Sequence, residues 1–192
     1  MSMDVHISKV CSKAYHGLYN VRQISKFLNV ECMKTLFNAF VISRDDYCNS
    51  LLIGLPDYQL YRTQRILNGA ARLIYKLPKH SHITDTLKSL HWLPIKQRIE
   101  FKLILQVYKC LIGLAPRYLC DLIVQKQSHY DLRSQSLLVP RVKHKTLGER
   151  AFAYKGPWLW NSLPAELRSL SNSSLDTFKT HLKTFLFRKA FD

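Results

Sequence analysis

Three groups of side chains in this sequence have the types and spacing to do chemistry. The first is Arg44-Asp45-Asp46, because adjacent carboxylates can hold a pair of divalent cations for phosphoryl transfer. In the polymerase form of that pair an aromatic residue stands two positions earlier, in a β-hairpin. Here Ser43 occupies the aromatic position and the surrounding pattern is helical, so Asp45 and Asp46 are expected on a solvated helix face. The second group is His80, His82 and His91, with Asp85 close by. Zinc takes four ligands at tight spacing, oriented by further hydrogen bonds. No Cys lies near enough to complete such a set, so these histidines read as loop caps and as packing for Trp92. No metal is expected. The third group consists of cations on helix faces.

Nucleophilic catalysis has no support, since the chain lacks a Gly-x-Ser-x-Gly elbow and a flanked reactive Cys. The six glycines never cluster into a phosphate loop or a dinucleotide turn. No enzymatic activity and no cofactor are therefore expected of this chain. Charge is the signal left: 29 Lys and Arg against 13 Asp and Glu give a formal +16 over 192 residues. That balance selects polyanionic partners, nucleic acid before an anionic membrane surface.

The stretch Asp57–Lys76 concentrates this charge. At 100° per residue, Leu60, Ile66, Leu67, Ala70, Ala71, Leu73 and Ile74 share one face of a helix. Arg62, Arg65, Arg72 and Lys76 share the other with Tyr58 and Tyr61, and Asp57 is expected to cap the first turn. Guanidinium forks suit phosphates, and phenol rings suit sugars and bases. A second strip, Arg98, Lys102 and Lys109, falls within about 40° on a later helix. These nine residues are the candidate nucleic-acid contacts.

Several elements must position them. Ile7, Cys11, Ala14, Leu18 and Val21 form a first helical stripe, leaving Lys9, Lys13, Arg22 and Lys26 for solvent or a ligand. Asn29 is a predicted N-cap for a second helix with Met33, Phe37, Phe40, Val41, Cys48, Leu51 and Leu52 on its apolar side. Gly54 and Pro56 stop it. Pro94 opens a long helix from Ile95 to Ile112, largely buried and closed by Gly113 and Pro116. In the basic segment 125–147, which carries Lys126, Arg133, Arg141, Lys143 and Lys145 against Asp131, Leu137–Val142 is either a short strand or an extended linker. A Trp-rich turn around Pro157 and Pro164 precedes a last helix with Leu175, Phe178, Leu182, Phe185 and Leu186 in a stripe and Phe187 and Phe191 off it.

The fold class expected is mainly α: a compact helical bundle, an extended linker with room for a short strand pair, and a C-terminal helix. The expected divisions are 1–76, 77–124, 125–147 and 148–192. Five scattered cysteines without a C-x-x-C pair fit a reducing, intracellular compartment. Neither a secretion signal nor a membrane span of roughly 20 apolar residues is visible.

Blocks of the sequence resemble one family. DYCNSLLIGLP (46–56), LYRTQRILNGAARLI (60–74), HIT and LHWLP (82–94), RIEFKLILQVYKCLIGLAPRYLCDL (98–122) and GERAFAYKGPWLWNSLPAELR (148–168) occur in an order similar to the C-terminal part of non-LTR, LINE-type (jockey-like) retrotransposon reverse transcriptases. The resemblance spans nearly the whole chain. It implies a helical thumb that grips template–primer nucleic acid, followed by a C-terminal region. It also implies that the palm with its catalytic aspartates lies upstream, leaving a fragment, a relic or a reused module. A separate palm domain or a second copy of the chain would then be a partner, through the off-stripe Phe187 and Phe191 and the Trp-rich turn. Two positions depart from the family: Asp45, where an apolar residue is usual, and Gly69, where Ala is favoured. A mid-helix glycine costs roughly 0.5–1 kcal/mol, so Gly69 implies either relaxed selection or close backbone approach to a ligand.

Overall fold

A computed structural model describes residues 3–126, 136–170 and 173–192. The expectations for Asp131 and Arg133 fall outside the described residues. Those described are mainly helical and form no named strand. They divide into two compact units, Met1–Arg98 with Ala190–Asp192, and Ile99–Lys189.

The first unit begins with α1 (Asp4–Ile24), which buries Ile7, Cys11, Ala14, Gly17 and Val21. After a 3₁₀ turn at Ser25–Phe27, the Asn29 carboxamide oxygen accepts the Cys32 N–H at 2.8 Å, the predicted cap. The helix α2 (Val30–Phe37) then runs through a π turn, Asn38–Ile42, into α3 (Ser43–Asp46). The wide turn inserts extra rotation, which re-aims every later side chain. Met33 and Phe37 before the turn, and Val41, Ile42 and Asp45 within and after it, are buried, while Phe40 is exposed.

This corrects two expectations. Asp45, read as solvated, is only 7% accessible, and Phe40, read as apolar lining, is not lining. Cys48 and Leu51 are also exposed, because the helix ends at Asp46. Cys48 takes a left-handed φ of 53°, and a 3₁₀ turn at Asn49–Leu52 turns Leu52 inward.

Next, α4 (Asp57–Ile74) packs its buried Leu60, Ile66, Leu67, Ala70, Ala71 and Ile74 in a unit with α1 and α2. Pro56 stands at its N-cap and no side chain caps the turn. Asp57 is thus not the cap: it lies in the first turn, exposed, 3.7 Å from Lys96 Nζ, where its charge also suits the helix dipole. The short α5 (Thr84–Ser89) also packs on α4. The start of α6 (Ile95–Leu111) is tied in by Gln64, whose side-chain oxygen accepts the Ile95 N–H at 2.8 Å. Residues 77–98 accordingly belong with the first unit.

The second unit holds the rest of α6 with α7 (Arg117–Cys120), α8 (Lys145–Gly148), α9 (Phe152–Asn161), α10 (Ala165–Ser169) and α11 (Leu175–Phe191) up to Lys189. Its core is aromatic. The Tyr108 ring stacks on Phe178 with centroids 3.9 Å apart and planes 4° apart, and Trp160 lies 5.8 Å from Phe178. The Tyr108 hydroxyl donates to the Ser173 carbonyl at 2.5 Å, so a polar tip buried with its ring is satisfied.

The expected Trp-rich turn is a helix, α9, with Pro157 inside it. A proline usually clashes with the Cβ of the residue before it. Gly156 has none, and a Cβ there would also lie 2.9 Å from Val107 Cγ2, so the glycine serves both the proline and the packing on α6. Among the described residues, Gln125 and Leu137 form an antiparallel bridge. Asn161 completes it by accepting the Leu137 N–H and donating to the Leu137 carbonyl, each at 2.8 Å. On α11 the stripe Phe178, Leu182 and Leu186 is buried, while Phe187 and Phe191 are half-buried.

Candidate nucleic-acid interface

A groove of about 790 Å³ runs along the first unit where α4 meets α1. From α1 it takes Tyr15, Leu18 and Arg22; from α4 it takes Tyr61, Arg65, Asn68, Gly69, Arg72, Leu73 and Lys76. The segment after α4 adds Leu77, Lys79 and His80. Five permanent cations thus line one concavity, and no carboxylate lines it. In water such charges repel mildly, but around a groove they sum into a field that concentrates anions.

Two of the cations are held by the backbone they control. Arg72 donates through Nη2 to the Ser81 carbonyl at 3.1 Å, tethering the segment that carries Lys79 and His80. Its Nε is buried in the groove wall with no hydrogen-bond partner. Lys76 sits at the C-terminal end of α4 with a left-handed φ of 52°. There the Leu77 N–H bonds the Arg72 carbonyl at 2.9 Å, and the Lys76 N–H bonds the Leu73 carbonyl at 3.3 Å. That pair of bonds is the helix stop in which glycine is usual, because a left-handed residue with a Cβ is strained.

Of the nine candidate residues, Tyr61, Arg65, Arg72 and Lys76 come together in the groove. The other five do not line it. Arg62 turns to α1 and donates to Ser8 Oγ at 2.9 Å. Tyr58 is exposed one turn earlier, where its hydroxyl accepts from the Gln59 amide at 3.3 Å. Arg98 is engaged inside the unit by both oxygens of Asp46, at 2.9 and 2.6 Å. Lys102 and Lys109 lie in the second unit.

Periodicity on α4 alone missed Tyr15, Lys79 and His80, and set Arg22 aside as an outer cation of α1. Tyr15 and Arg22 are seven residues apart, two turns of the same helix side, which is a usable signal once α1 is known to lie against α4. Nothing local marks Lys79 and His80.

No protein-family model, curated protein or solved structure matches this chain. Its side chains carry the functional argument. Asp46 spends its carboxylate on Arg98 and on the Asn49 amide at 3.1 Å, and Asp45 is buried. Among the described residues, no three His, Cys, Asp or Glu side chains gather as a metal site. His91 holds a left-handed φ of 52° at the end of α5, where the Trp92 N–H bonds the Leu87 carbonyl, so its role there is to stop a helix. No helix among the described residues is long and apolar enough to cross a membrane.

Proposed function

We propose that this protein is a nucleic-acid-binding module without chemistry of its own, a thumb-like helical unit that grips template–primer nucleic acid through the α1–α4 groove. One observation carries the reading: Arg22, Arg65, Arg72, Lys76 and Lys79 converge on a single concavity with Tyr15 and Tyr61 and no acid among them. Guanidinium and ammonium groups neutralise phosphates, and exposed phenols pack on sugars or bases. The resemblance to LINE-type reverse transcriptases supplies the context, in which the polymerase chemistry belongs to a palm outside this chain. A structural role for Asp46 supports the same view, since its carboxylate is committed to Arg98.

Fluorescence anisotropy across a salt series tests this. With five groove cations, log K on duplex DNA should fall with log salt at a slope of about −4 to −5. Replacing the exposed Arg65 with Ala should reduce that slope by about 1 on every sequence alike. A slope near zero would sink the reading.

A further inference from the structure

We propose that what the groove itself receives is the unpaired strand of such a nucleic acid, with a base laid on its floor, rather than the outside of its double-helical part. This rests on the nucleic-acid reading above and names the form of the ligand.

The groove's composition sets the argument. Of its lining, Leu18, Gly69, Leu73 and Leu77 are half-buried and form an apolar floor, the cations Arg22, Arg65, Lys76 and Lys79 are exposed, and exposed tyrosines come from both helices, Tyr15 from α1 and Tyr61 from α4. A duplex shows a protein its phosphates and sugars and keeps its base faces stacked within. Phosphates gain nothing from an apolar floor, whereas the face of an unpaired base does. The volume, about 790 Å³, is that of a site for a compact ligand and fits a short stretch of one strand.

Gly69 adds an independent observation. A Cβ at this position would meet only Leu18 Cδ1, at 3.4 Å, which is ordinary contact. Packing therefore does not demand glycine, although a helix interior is weakened by it. What the missing side chain does provide is open space in the groove lining beside Leu18. Tyrosine stacking is tolerant of sequence, so the strand would be held with little base preference.

The test uses the 192-residue chain and two probes, oligothymidylate of about ten nucleotides and a blunt DNA duplex of the same length. The single strand should bind about tenfold or more tightly than the duplex at equal salt, with a shallower slope of about −3 to −4. Tyr61→Ala should lose about tenfold on the single strand, and Tyr61→Phe should keep the affinity, because stacking needs the ring and not the hydroxyl. Gly69→Leu fills the floor without touching a charge. It should lose strand affinity to a similar extent while its circular dichroism and melting temperature match the wild type or exceed it. If the duplex binds as tightly as the strand, and neither Tyr61→Ala nor Gly69→Leu changes strand affinity, the inference is overturned while the nucleic-acid reading stands. If neither probe shows salt-sensitive binding, both fail.

Discussion

Arg98 grips Asp46 with two parallel hydrogen bonds, Nε to Oδ1 at 2.9 Å and Nη2 to Oδ2 at 2.6 Å, across 52 residues of sequence. The pair is mostly shielded, with side chains 17% and 25% accessible, and it ties the start of α6 to the end of α3. A bidentate, partly buried guanidinium–carboxylate pair orients both partners and competes with any external phosphate for Arg98.

Arg98→Met should therefore lower stability by about 1–3 kcal/mol, because the Asp46 charge stays half-buried without its main donor. Nucleic-acid affinity should change less than twofold once the comparison is made under folded conditions. Urea denaturation gives the first quantity and anisotropy the second. An unchanged midpoint together with weakened binding would return Arg98 to the ligand face.

Lys76→Gly separates folding from binding. Glycine adopts the left-handed φ of 52° without strain, so the substitution should stabilise the end of α4 by about 0.5–1 kcal/mol. Affinity for nucleic acid should fall in the same variant, since a groove cation is removed. A rise in melting temperature with undiminished binding would take Lys76 out of the interface.

Gly17 and Gly69 should respond to alanine in opposite directions. A Cβ on Gly17 would lie 2.8 Å from the Phe40 carbonyl oxygen, a backbone atom of the π turn that has no side-chain freedom to yield. Gly17→Ala should cost about 1–3 kcal/mol by prising α1 from that turn. Gly69→Ala meets only the tip of Leu18 and should stabilise α4 by about 0.5–1 kcal/mol. Thermal melts of the two variants check the contrast.

The thiols predict an order of reactivity. Burial, and then the neighbouring Cys120, push the Cys110 thiol up to about 12 from its ordinary 9.0. At about pH 8 iodoacetamide should modify the exposed Cys32 and Cys48 first and Cys110 last, read by peptide mass spectrometry. The linkage has a definite sign. Below the unfolded value of 9.0 the thiol is neutral in both states and stability does not depend on it. As pH rises from there towards about 12, the unfolded thiol ionises while the folded one does not, so stability falls. Cys110→Ala should lack this component of the alkaline decline.

Helical class, the division of α4 into two faces, the Asn29 cap and the closure of α6 at Gly113 were all legible in the sequence. Each depends on residues within a turn or two of one another, where 3.6-residue periodicity and capping chemistry act directly. The α4 face was half legible: Arg65, Arg72, Lys76 and Tyr61 were found, but Arg62 on the same face bonds Ser8 instead. A helical wheel orders side chains by angle and says nothing of which neighbour a long side chain will reach. The π turn at Asn38–Ile42 was invisible for a related reason. It alters the angle between the residues before and after it, so a fixed 100° step placed Phe40 inside, where the structure leaves it exposed.

By itself, then, the sequence determined the kind of element at each place and the surplus of positive charge, because both are local or additive quantities. Tertiary structure decided which charges act together. Packing α1 on α4 brought Tyr15 and Arg22 to Tyr61 and Arg65, and the Arg72 bond to the Ser81 carbonyl drew in the segment with Lys79 and His80. The fold also removed Arg98 by supplying it with Asp46. Electrostatic function depends on distances between residues far apart in the chain, and those distances exist only once the helices have found their partners.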